Sequence, residues 1–119
     1  MLSDEEATMT LDAWGFDDLR SKGKFTIDEV EYSLPVNNFE NTLHGGIIGF
    51  DKRIWESSAS TVDNEAQLEL SLISKDGDQG YPGTISTIVT YRFDDQNKLT
   101  ITYLATTDKT TVINLTNHT

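Results

Sequence analysis

The chain has 119 residues, one domain's worth, with nine basic against twenty acidic side chains and a formal net charge of -11. A field of that sign repels phosphate backbones and anionic headgroups, which argues against nucleic acid or a membrane surface as partner and suits a solvated surface. There is no cysteine, so disulfides, thiolate chemistry and Cys-ligated metals are excluded, and no apolar run is long enough to span a bilayer.

The amino terminus, Met1-Leu2-Ser3-Asp4-Glu5-Glu6, is acidic where an export signal would be basic and then apolar, so the expected location is the cytoplasm. The sequons at Asn114 and Asn117 would matter only in a secreted protein. Ser3 and Glu6 fit a capping box, and Ala7, Leu11, Trp14 and Asp18 fall at helical spacing, with Met9, Ala13 and Phe16 widening the apolar face. These features predict a short amphipathic helix within residues 1–22, stopped at Gly23. That stretch is set apart as a divergent acidic segment from a domain over 23–119.

From Lys24 the period changes to two. Lys24–Asp28 and Glu31–Leu34 read as a hairpin, broken by Pro35-Val36-Asn37-Asn38. Leu43–Phe50, with three glycines, reads as a loop or irregular strand, and Lys52–Ser57 as a strand containing Trp55. Ala66–Ser74 alternates, with Leu68, Leu70 and Leu72 on one face. After the turn-rich Asp76–Gly83 loop, Thr84–Phe93 puts Ile85, Val89, Tyr91 and Phe93 on one face. A four-residue connection, Asp94–Asn97, leads to Lys98–Thr106, with Leu99, Ile101, Tyr103 and Ala105 facing the core. Thr110–His118 is expected as the last strand. The fold class is therefore mainly β and antiparallel, rich in β-branched residues, with one short helix.

Neither of the two histidines, His44 and His118, belongs to a metal-ligand spacing. His44 precedes Gly45-Gly46, where backbone can approach a ligand, and His118 follows the half-polar series Val112, Asn114 and Thr116. Imidazole titrates near neutrality and suits proton transfer, but spacing alone leaves each histidine equally open to a structural place. Trp55, Tyr81 and Phe50 could stack on a sugar ring, although core positions are the commoner use of such side chains. Asp76 and Asp78 lack the oxygen-ligand spacing of an EF-hand loop, and no P-loop, dinucleotide or GxSxG signature occurs.

Several stretches in order resemble the aldose 1-epimerase (galactose mutarotase) family. They are Gly23-Lys24-Phe25-Thr26-Ile27-Asp28, Leu34-Pro35-Val36-Asn37-Asn38, Asn41-Thr42-Leu43-His44-Gly45-Gly46 with Gly49-Phe50-Asp51 and Trp55, and Asp76-Gly77 with Gly80-Tyr81-Pro82-Gly83. Asn97–Tyr103, Ala105–Lys109 and Asn114-Leu115-Thr116-Asn117-His118 complete the set, which covers residues 23–119. The resemblance implies an antiparallel β-sandwich, here a fragment of one. It also implies an isomerase that opens a hexose ring and lets it close as the other anomer, without cofactor or metal.

By match, His118 is the acid at the ring oxygen and His44 a second histidine hydrogen-bonding the sugar, with Asn41, Gly45, Gly46 and Tyr81 at the substrate. The family's sugar-binding arginine sits in a GRxxNRI segment. Here the ungapped positions hold Trp14 to Arg20, with Leu19 in the arginine's place and Arg20 one position off. The family's sugar-binding aspartate and catalytic glutamate lie further along than His118, and Asp108 and Glu65 do not match their contexts. The expected partner is a small hexose, with self-association through exposed strand edges as a further possibility. A non-catalytic sugar-binding remnant and a purely structural β-sandwich piece are the alternatives.

Overall fold

The computed structural model describes residues 9–11 and 22–117. Eight antiparallel strands make up about half of it: β1 (Met9–Leu11), β2 (Lys24–Ile27), β3 (Val30–Ser33), β4 (Glu56–Val62), β5 (Glu65–Ser74), β6 (Ile85–Phe93), β7 (Leu99–Thr107) and β8 (Leu115–Asn117). Strands β4 to β7 form one meander in the order β4-β5-β6-β7, while β2 pairs with β3 and β1 with β8. Among the described residues no helix is long and apolar enough to cross a membrane.

Local turn chemistry sets the hairpins. Asp28-Glu29 and Asp63-Asn64 both take left-handed backbone at their two central positions, the conformation whose twist matches that of the flanking strands. Between β6 and β7 the Asp94 carboxylate accepts from the N–H groups of Gln96 and Lys98, both at 2.9 Å, and Asn97 takes the left-handed position.

Register then builds the core. On one face of the meander Leu70 lies opposite Val89, and Val89 opposite Tyr103; Leu68, Tyr91 and Ile101 form the next row. Leu70 and Val89 are buried there, flanked by Trp55. The alternation expected of these strands is therefore the one observed, except towards the strand ends, where Phe93, Leu99 and Ala105 are exposed. A second cluster of Phe25, Leu34, Phe50 and Tyr81 joins the β2–β3 hairpin to the long loops, with Trp55 packed on both clusters.

Three expectations are corrected. Met9–Leu11 is a strand and not helix, because the short β8 edge gives its backbone groups partners: Met9 opposite Asn117 and Leu11 opposite Leu115. The remainder of the helix predicted within 1–22 lies outside the described residues, apart from Lys22, which is in a turn. Lys52–Ser57 is mostly not strand. A 3-10 turn at Phe50–Lys52 precedes an extended passage, and the strand begins at Glu56 and runs to Val62. Residues 110–114 carry no strand either, since adjacent Val112 and Ile113 both pack on the Phe25 cluster. Strict alternation would send one of that pair to the opposite face.

Candidate functional site

The loop between β3 and the Phe50–Lys52 turn is organised by one amide. Asn37 Nδ2 donates to the carbonyls of Leu43 (2.8 Å) and Gly46 (2.9 Å), while its Oδ1 accepts from Leu43 N–H at 2.8 Å. The Asn41 carbonyl accepts from the N–H groups of Asn37 and Asn38, at 3.0 Å each, and Asn41 N–H donates back to Asn38 at 2.9 Å. Beneath them the buried Thr42 hydroxyl donates to the Pro35 carbonyl at 2.8 Å. Gly46 N–H closes a turn onto Leu43.

This scaffold presents His44 exposed, in left-handed backbone (φ 55), followed by buried Gly45 and Gly46, also at positive φ. Asn41, His44, Gly45 and Gly46 are thus brought onto one rigid loop. A Cβ at Gly49 would lie 2.5 Å from the His44 carbonyl, so the chain doubles back tightly against the histidine. Arg20 and His118 lie outside the described residues.

The second loop, 75–84, comes from the end of β5. Asp76 Oδ1 accepts from Gly83 N–H at 2.6 Å and its Oδ2 faces Lys109 Nζ at 3.0 Å. Those contacts, Gly83 first, hold the Asp76 carboxyl below its ordinary pKa, and the Asp76 hydrogen bond raises Lys109. Asp108 accepts from Thr84 N–H at 2.7 Å. Asp78 is paired with Arg53 and accepts from the Ser74 hydroxyl at 2.7 Å. Asp76 and Asp78 thus act as loop clips. Among the described residues no group of three or more His, Asp or Glu side chains converges as a metal set.

Tyr81 is 8% exposed, with its ring stacked on Phe25 at a centroid distance of 5.9 Å. Its ring is thus a core face, packed with Phe25, Leu34 and Phe50, and not a free one. Phe50 is likewise buried and meets Trp55 edge-on at 6.0 Å; the Trp55 indole donates to the Phe50 carbonyl at 2.9 Å. Two residues to which sequence reasoning assigns no role are prominent here. Asn37 had a signal, an amide in a turn-breaking stretch. Gln79, whose Oε1 accepts from the N–H groups of Ile47 (2.9 Å) and Ile48 (3.2 Å), had none.

Comparison with known proteins bears on the family and the fold. The family model described as aldose 1-epimerase matches residues 19–119. Galactose mutarotase of Rattus norvegicus is 45% identical over 98 residues, 82% of this chain and 27% of that protein. Aldose 1-epimerase of Escherichia coli is 42% identical over the same share of this chain and 28% of its own. Among solved structures, galactose 1-epimerase from Lactobacillus acidophilus superposes with a TM-score of 0.76 at 33% identity, over 83% of this chain and 30% of that one. The aldose epimerase homologue from C. elegans gives 0.74 at 28% identity, over 97% and 35%. The chain spans little more than a quarter of the length of the curated relatives. The mainly antiparallel β fold is that of these neighbours, and the chain belongs to the aldose 1-epimerase family.

Proposed function

We propose that this chain carries the histidine side of a hexose-anomerising site, in a unit spanning residues 23–119. The observation that supports it is the His44-Gly45-Gly46 loop, an exposed imidazole on a backbone tied down by the Asn37 amide. In this reading His118, next in sequence after β8, protonates the ring oxygen while a carboxylate base takes the C1 hydroxyl proton. The C1–O5 bond breaks to give the open aldehyde. Rotation about C1–C2 then turns the other face of the carbonyl to the ring hydroxyl. The reverse transfers close the ring as the other anomer.

His44 hydrogen-bonds the sugar, with Asn41, Gly45 and Gly46 around it, Tyr81 beneath, and Arg20 as the cationic contact. The proposed substrates are hexoses such as galactose and glucose, and the proposed place is the cytoplasm. A second copy, docked through strand edges, is the other proposed partner.

Polarimetry of freshly dissolved α-D-galactose tests the catalytic reading. Anomer conversion above the buffer rate, reduced about 10²–10⁴-fold in His118→Ala, would show that a carboxylate of this chain serves as the base beside the histidine. Conversion at the buffer rate, unchanged by His118→Ala, would defeat catalysis by this chain. Tryptophan fluorescence titrated with galactose would then decide whether a binding function remains.

A further inference from the structure

The peptides following His44-Gly45-Gly46 are held by side chains on both of their edges. Gln79 Oε1 takes the N–H groups of both Ile47 and Ile48. Their carbonyls are taken by Lys52 Nζ, at 2.8 Å from Ile47 O, and by the Arg53 guanidinium, at 3.3 Å from Ile48 O. Arg53 in turn is paired with Asp78, the residue before Gln79. The 75–84 loop therefore takes the N–H edge of the segment that leaves the histidine through Gln79, and through Asp78 it holds Arg53, which is on the carbonyl edge.

Two further features single out Gln79 within this grip. Its backbone is left-handed (φ 51) inside the Asp78–Gly80 turn, a conformation uncommon for a residue with a side chain. A non-glycine held there is strained and persists only where its surroundings over-determine it. Its side chain also lies flat on Gly46: a Cβ at Gly46 would sit 2.6 Å from Gln79 Oε1 and 2.9 Å from Gln79 Cβ. Glycine at 46 is thus the seat of the glutamine as well as an answer to its φ of 102°.

We propose that Gln79 is a positioning residue for His44, acting through Gly46 and the Ile47–Ile48 peptides to hold the imidazole where a sugar hydroxyl meets it. The sugar half of this statement rests on the function proposed above; the positional half does not. The 75–84 loop is then a second support of the site and not merely a connection between β5 and β6. Any change that moves its Asp78–Gly80 corner is felt at the histidine.

The test uses the 119-residue chain with Gln79→Met, which keeps the packing on Gly46 but removes the acceptor, and Gln79→Glu, which keeps an acceptor for both N–H groups at neutral pH. Imidazole signals, assigned with His44→Gln, are followed by NMR, and galactose affinity by tryptophan fluorescence; circular dichroism checks the fold. Gln79→Met should shift the His44 signals and weaken galactose about tenfold, the scale of one lost hydrogen bond. Gln79→Glu should restore both. His44 signals unmoved in Gln79→Met, or displaced equally in Gln79→Glu, would overturn the proposal. Should Gln79→Met unfold, Gln79→Glu alone decides, since a His44 signal displaced from wild type would count against it. If galactose fails to bind the wild-type chain, the sugar reading falls, and the His44 signals still settle the positioning role.

Discussion

Tyr81 shows how a single side chain couples ionisation to the core. Burial pushes its phenol from the usual 10.0 up to about 12, and burial also raises Tyr91 and Tyr103. The folded chain therefore holds these protons to higher pH than the unfolded chain does. The stability that Tyr81 contributes is whole below pH 10 and is lost as pH rises through about 12. Urea unfolding followed by circular dichroism should show a midpoint that falls over that window, and Tyr81→Phe should flatten the fall. An unaltered slope in Tyr81→Phe would show that the phenol ionises as freely in the fold as out of it.

The same core sets different values on neighbouring positions of one strand. On β6 both Thr87 and Val89 are fully buried. Thr87 lies in register with Leu72 and Ala105, and its hydroxyl has no hydrogen-bond partner among the described groups. Thr87→Val exchanges that hydroxyl for a methyl of the same shape and should stabilise the chain by about 1 kcal/mol. Val89→Ala removes two methyls between Leu70 and Tyr103 and should cost about 2–3 kcal/mol. Chemical denaturation compares the two, and a Thr87→Val chain less stable than wild type would mean that the hydroxyl is satisfied in solution.

Strands of this kind are legible in a sequence because burial on one face forces a period of two, as Leu68, Leu70 and Leu72 display. β4 is not legible so. Glu-Ser-Ser-Ala-Ser-Thr-Val is exposed at all seven positions and owes its place to backbone pairing with β5. Nor could alternation foretell residues 110–114, where two adjacent apolar side chains turn to one cluster. At the candidate site the histidine and its glycines stand out by type. Gln79 does not, because its hydrogen bonds to Ile47 and Ile48 span about thirty residues of chain.

At the scale of the molecule, the radius of gyration of 15.9 Å exceeds the about 13.5 Å expected for a compact chain of this length. The meander is one sheet with two outer strands, β4 and β7, and β7 runs nine residues, Leu-Thr-Ile-Thr-Tyr-Leu-Ala-Thr-Thr, without a charge or a proline. Edges of that composition are templates for another strand. Leu104 on β7 and Ile73 on β5 add exposed apolar surface to the face opposite the Leu70–Val89 cluster. Against association stands the charge of -11, which is screened as salt rises. Sedimentation should therefore show a mass that grows with protein concentration, more so at high salt. Leu104→Lys, a charge set on that edge, should hold the chain monomeric without unfolding it. A mass independent of concentration at high salt would show that β7 is closed to a second copy, and would leave the hexose as the one partner proposed for this chain.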